Sequence, residues 1–223
     1  MEHKEKVAPR THVARLNTGW VLWVEKWSFQ PPNTTETWAG KLSAVAECFD
    51  VQRFWSVMLS TPRPSDIVQK RQMGLYLFRK GIVPQWEDPQ NRHGGKWSVT
   101  VAEGPCDSRG RAPIDTLWEH TAMGCVGEQL GSNVCGCVVR TRARKSRIDI
   151  WVTDDHDDAQ LRWTGLSWQQ LLLACDNTGH HRLIFKSHHR EKKLILKPFV
   201  LPSPLVKLPS PTMDEDVKQS TEP

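Results

Sequence analysis

The chain has 223 residues, 25% of them charged, and a formal net charge of +5; that length supports one domain with tails and a real core, and so mild a positive charge permits a polyanionic ligand without demanding one. No apolar run approaches the ~20 residues a membrane span needs, and the charged start MEHKEK lacks a signal peptide's apolar stretch. Six cysteines without such a signal read as reduced thiols of the cytoplasm or nucleus, and 11 tryptophans against one tyrosine call for an explanation.

Residues 1–17 read as a polar tail. GWVLWVEKWSF (19–29) alternates aromatic and β-branched residues and predicts a strand. QPPNTTE (30–36) is a loop, and TWAGKLSAVAECF (37–49) holds a second strand. DVQRFWSVML (50–59) predicts a helix with Asp50 as N-cap and Val51, Phe54, Trp55 and Met58 at i, i+3, i+4 and i+7. STPRPSD breaks it. LYLFR (75–79) and KWSVTVAE (96–103) are strand-like. Between them Pro84 and Pro89 place Trp86-Glu87 in a surface loop, followed by a flexible Gly94-Gly95 pair. Residues 112–131 predict a second helix, with Gly131 near its end. Residues 134–142 and 147–152 read as a hairpin joined by the basic turn ARKS. Residues 166–176 predict a third helix and 182–187 a last strand. From about residue 190 the chain turns basic, then Pro-rich, then acidic, which is tail composition. The expected organisation is an N-terminal tail (1–17), one domain (18–190) and a disordered C-terminal tail (191–223). Strands with helices inserted singly predict the α+β class, an antiparallel sheet with helices on one face.

Trp86-Glu87 is the most informative pair. An indole face and a carboxylate presented together suit a flat cation with N–H donors on its edge. The competing reading is a buried indole with a solvated acidic neighbour. The run RTRARKSR (140–147) supplies Arg140, Arg142 and Arg144 on one face of a strand, and guanidiniums so placed suit phosphate oxygens. Its competing reading is a solvated hairpin tip. Cys135 and Cys137 are spaced too closely for a zinc pair, and strand alternation puts both on one buried face. Asp154, Asp155, Asp157 and Asp158 lack the glycine and terminal glutamate of a calcium loop and read as solvated. No phosphate-binding loop, nucleophile elbow or HExxH is present, so no metal, cofactor or enzymatic activity is expected.

Taken together, GWVLWVEK, TWAGKL, FDVQRFWSVM, YLFRKGIVPQWEDPQNRHGGKW, LWEHTAMGCVGEQL, VCGCVVRTRARKSRIDIW and FKSH resemble eukaryotic translation initiation factor 4E, the family that binds the 7-methylguanosine cap of mRNA. The likeness runs from about residue 19 to 190. It implies a curved antiparallel β-sheet, shaped like a cupped hand, with three helices on the convex face. By resemblance, Trp38 and Trp86 are the two indoles that sandwich the methylated guanine, and Glu87 is the acid that binds its Watson–Crick edge. Arg142, Arg144 and Arg147 match the basic positions facing the cap phosphates, and Trp151 matches the indole near the methyl group. Trp20, Trp23, Trp97 and Trp118 match packing positions.

The resemblance also implies a partner on the convex helical face: a scaffold initiation factor of the 4G type, or a 4E-binding regulator. Val51 and Trp55 match that surface on the first helix. The family's Leu-Glu pair on the second helix is replaced here by Glu119 and His120, and a family His-Pro pair ahead of the first strand by Ala14-Arg15. These departures mark a divergent paralogue. The expected function is cap binding with scaffold recruitment in translation initiation; the alternative is a cap-binding repressor or storage factor.

Overall fold

The computed structural model describes residues 13–25, 42–68, 74–141, 146–175 and 181–198. Among them eight strands form one sheet: β1 Arg15–Glu25, β2 Leu42–Asp50, β3 Gly74–Arg79, β4 Gly95–Val101, β5 Val134–Arg140, β6 Ser146–Val152, β7 Leu183–Ser187 and β8 Lys193–Leu196. Their order is β2-β1-β3-β5-β6-β4-β7-β8, and every pairing is antiparallel. Four helices accompany them: α1 Val51–Ser60, α2 Pro64–Val68, α3 Pro113–Val126 and α4 Asp158–Cys175. The α+β expectation, a cupped antiparallel sheet backed by three long helices, therefore holds. The five-residue α2 is an addition, opened by Pro64, which the first turn of a helix tolerates. None of the described helices is long and apolar enough to cross a membrane.

Period-two alternation gives the sheet two unlike faces. In β6, Ile148, Ile150 and Val152 turn toward the helices; Arg147, Asp149 and Trp151 turn away. The helix face holds the main core, where Trp20, Trp97 and Phe185 of the sheet meet Leu117, Trp118 and Trp168 of the helices. Much of the tryptophan excess serves this core: each buried indole removes ~150–250 Å² from water, worth roughly 4–6 kcal/mol before entropy is counted. Two of their N–H groups are satisfied, Trp97 Nε1 donating to the Leu161 carbonyl (3.1 Å) and Trp168 Nε1 to Thr121 Oγ1 (3.0 Å), while Trp20 Nε1 is buried without a hydrogen-bond partner among the described residues. The open face carries a smaller apolar cluster of Leu42, Tyr76, Phe78, Cys135, Val138 and Trp151, with Trp23 packed against it.

Asp50 caps α1 as expected, its Oδ1 accepting from the Arg53 N–H at 2.7 Å. Several boundaries differ. β1 starts at Arg15, which pairs with Asp50, and β8 reaches Leu196, so the sheet extends into both segments expected as tails. Leu194 and Leu196 explain the latter: they pack on the core from a stretch whose lysines resemble tail composition. Residues 1–12 and 199–223, with the expected disorder of the C-terminal tail, lie outside the described residues. α3 ends at Val126, capped by Gly127; Gly131, at φ +103°, belongs to a later turn. α4 begins eight residues before the expected 166, because Asp157 accepts from the N–H groups of Ala159 and Gln160. The acidic string is thus not a solvated loop: Asp157 caps a helix, and Asp155 is buried. A register shift between Val134 and Gly136 breaks the alternation, so Cys135 joins the open-face cluster and Cys137 the main core. The Gly94-Gly95 pair is a close approach, not a flexible joint: a Cβ on Gly94 would lie 1.8 Å from the Val152 carbonyl oxygen.

Candidate cap-binding site

The turn at residues 84–93 carries Trp86 and Glu87 out from the end of β3. Asp88 builds it from inside, Oδ2 accepting from the Val83 N–H (2.9 Å) and Oδ1 from the Gln90 N–H (2.8 Å). Asn91, fully buried, donates through Nδ2 to the carbonyls of Val83 and Gln85, both at 2.8 Å, and accepts from Cys135 Sγ at 3.2 Å. His188, between β7 and β8, donates from Nδ1 to the Asn91 carbonyl at 3.0 Å. A turn fixed at this many points holds its exposed side chains in place. Trp86 is 60% exposed and Glu87 is exposed, which rules out the competing reading of a buried indole. A large apolar ring held in water by a stiff turn is a candidate contact surface.

Trp151 forms part of the open-face floor. It is 5% exposed and packs edge-on against Phe78 (5.5 Å between ring centroids) and His188 (4.4 Å). His188 therefore ties the Trp86 turn to this floor. Burial lowers the pKa of His188. Lys96 stands directly across from Trp151 in the register of β4 and β6, its Nζ 5.8 Å from the indole centroid.

Two residues further along β6, the carboxylate of Asp149 is buried between two cations: Arg147 Nε at 3.1 Å and Lys96 Nζ at 3.7 Å. Burial pulls the Lys96 pKa down, and Asp149 pulls it back up. Arg147 is thus tethered to a buried acid and is not a freely solvated hairpin tip. Near the other end of the floor, Tyr76 donates from its hydroxyl to Glu25 Oε2 (3.0 Å) and accepts from Arg140 Nε (3.2 Å). Burial pushes this phenol well above its ordinary pKa.

Of the expected cap residues, the structure places Trp86, Glu87, Arg147 and Trp151; Trp38, Arg142 and Arg144 lie outside the described residues. Sequence reasoning missed Asp88, Asn91, Lys96, Asp149 and His188. Asp88-Pro89 carried a readable turn signal. Lys96 and Asp149 were legible only by carrying the alternation of Trp151 back along β6 and across to β4.

On the helical face, Val51 is 38% exposed and Trp55 half-buried, touching Phe54 edge-on at 5.3 Å. The expected inward stripe is shifted: Phe54 and Val57 are the residues that α1 buries fully. On α3, Glu119 is paired within the chain, accepting from Arg111 Nη1 at 3.2 Å, while Asp107 holds the same guanidinium at 2.9 Å. His120 is turned back on its own helix, Nδ1 donating to the Thr116 carbonyl at 2.8 Å. Elsewhere Asp155, His156 and His189 gather ligand atoms within 4.8 Å, but the Asp155 carboxylate is already clasped by the Arg190 guanidinium through Nε and Nη2.

A cupped sheet with an exposed indole and acid on a stiff turn, and a cationic, aromatic open face, is the build of a protein that holds a flat, anion-bearing ligand. The family model for Eukaryotic initiation factor 4E matches residues 15–196, and the chain belongs to that family. It is 30% identical over 173 residues to a eukaryotic translation initiation factor isoform 4E of Prunus domestica, covering 77% of this chain and 76% of that protein. Against the initiation factor 4E-1 of Zea mays it is 30% identical over 188 residues, 83% and 78% respectively. Among solved structures, Ascaris suum eIF4E-3 in complex with the m2,2,7G cap superposes with a TM-score of 0.68 at 26% identity, covering 83% of this chain and 99% of that one. Schistosome eIF4E complexed with m7GpppG and 4E-BP gives 0.65 at 26% identity, covering 79% and 90%.

Proposed function

We propose that this chain binds the 7-methylguanosine cap of mRNA on the open face of its sheet and recruits a scaffold partner through its helical back, as a cytoplasmic initiation factor and not an enzyme. The observation that carries the reading is the exposed Trp86-Glu87 pair on a turn braced by Asp88 and Asn91. Methylating guanine at its imidazole nitrogen makes the base a delocalised cation, which an indole face attracts more strongly than the neutral base. Trp86 supplies one such face, and we assign Trp38 the other. Glu87 accepts hydrogen bonds from the guanine edge, and its charge balances the methylated base. Trp151 closes the floor. Arg147 and Lys96, with Arg142 and Arg144, meet the phosphates, which they hold without reading sequence. Asp149 keeps two of these cations charged and close together in a half-buried place where either alone would be costly.

Membership in a family with structures bound to cap and to 4E-binding proteins supports both halves of the proposal. For the partner half, Val51 and Trp55 offer an accessible apolar edge on α1. The Arg111–Glu119 pair sets the chemistry beside it, so a partner leucine would meet an ion pair and not a lone acid. The test is retention of the purified chain on immobilised 7-methylguanosine nucleotide. Release by free 7-methyl-GTP and not by GTP is the expected result; passage through the resin, or equal release by both, would overturn it.

A further inference from the structure

We infer that the RNA beyond the cap runs across β4, β7 and β8 along a row of lysines formed by Lys96, Lys186 and Lys193; this rests on the cap-binding reading and extends it. The row follows from register. Trp151 pairs with Lys96, Lys96 with Lys186, and Lys186 with Lys193, on successive antiparallel strands. Directly paired residues on neighbouring strands share a face, so all three lysines lie on the open face with Trp151. Burial agrees: Leu194 and Leu196 turn to the helix-side core, leaving Lys193 and Ile195 on the other side of β8. With strands ~4.8 Å apart, the row spans about 10 Å from the Lys96 position to the edge of the sheet.

Like charges set directly opposite one another destabilise a sheet. At the inner end of the row Asp149 pairs with Lys96, while Asp155 pairs with Arg190 and Asp158 with Lys192. Lys186 and Lys193 are both exposed. The two outer lysines face water, and such a pair suits a ligand that brings its own regularly spaced anions. Alongside runs a second register pair, Ile184 and Ile195, the latter 40% exposed, which offers an apolar strip to ribose and base. The row begins at Lys96, where the proposed phosphate contacts end, so a phosphodiester chain leaving the cap meets it without a turn. Lysines placed in this way bind backbone and read no sequence.

The experiment measures binding of the full chain to 7-methyl-GpppG, to a capped RNA of about ten nucleotides, and to the same RNA uncapped, across salt. Wild type should bind the capped RNA more tightly than the dinucleotide at low salt. Two added phosphate contacts at ~0.7 each make the salt slope steeper by about 1.4, so the gain should shrink about sevenfold between about 50 and about 200 mM salt. In the Lys186→Glu/Lys193→Glu variant the capped RNA should fall to the affinity and slope of the dinucleotide, whose own binding stays unchanged. A variant that keeps the full RNA gain, or a wild type that shows none, overturns the track. If 7-methyl-GpppG itself fails to bind, the cap reading falls instead. The track is then decided by the uncapped RNA, which wild type must bind in a salt-dependent way and the variant must not.

Discussion

Trp86 and Glu87 are adjacent in the chain and exposed together, and under the proposed function they do different physical work. The indole supplies stacking, worth ~1–3 kcal/mol per base and nearly blind to base identity. The carboxylate supplies identity and counter-charge. Trp86→Leu should therefore weaken binding of 7-methyl-GTP roughly 5- to 150-fold with little change in fold stability, since the ring is exposed. Glu87→Gln should weaken it too and narrow the preference over GTP; equal losses for both nucleotides would mean that Glu87 reads the edge and not the charge. His188 makes a separate prediction. Burial holds its pKa below the ordinary 6.5, so the unfolded chain takes up the proton first. The stability this contact contributes is fully present above about pH 6.5 and declines as pH falls below that value. Urea midpoints at about pH 7.5 and about pH 5.5 should differ more for wild type than for His188→Asn; equal differences would remove His188 as the cause.

Elements place these residues through contacts that sequence spacing does not reveal. His188 reaches the Asn91 carbonyl across 97 positions, and only the β4–β7 pairing brings the two turns together. That is why His188 and Asn91 were invisible beforehand while Trp86, inside a proline-flanked turn, was not. α1 shows the opposite case. Its Asp50 cap and helical period were legible, yet Val57 is buried where Val51 was expected. Val51 at the first turn and half-buried Trp55 consequently form an accessible edge. Trp55→Ala should weaken a 4E-binding peptide by 2 kcal/mol or more, about 30-fold, and leave 7-methyl-GTP binding intact. A parallel loss of both would make Trp55 a core residue and move the partner site. Glu119→Leu should improve binding of such a peptide several-fold, while losing the partly exposed Arg111 pair costs the fold no more than about 1 kcal/mol. Unchanged affinity in a pull-down titration would count against that surface.

The whole molecule works as one sheet with two jobs. Its helix side is a dense indole-rich core; its open side is a sparse floor where charge is tolerated because acids such as Asp149 are buried beside the cations. The class of fold and its long helices were readable because apolar period changes cleanly between strands and helices. The ends of the sheet were not, because β8 is four residues long and reads as charged tail, and α4 was shortened because its acidic cap resembles a loop. Of the candidate site, the exposed Trp86 and Glu87 were legible as residue types, and the residues that hold their turn in place were not.

The central claim, that an exposed indole–carboxylate pair selects a cationic guanine, is tested most directly by following tryptophan fluorescence while titrating the chain with 7-methyl-GTP and, separately, with GTP. The account predicts strong quenching at low concentrations of the methylated nucleotide, and for GTP a curve displaced to concentrations at least tenfold higher, since the added cation–π attraction is worth ~0.5–2 kcal/mol and the Glu87 counter-charge adds to it. Coincident curves for the two nucleotides, or no quenching by either, would contradict it.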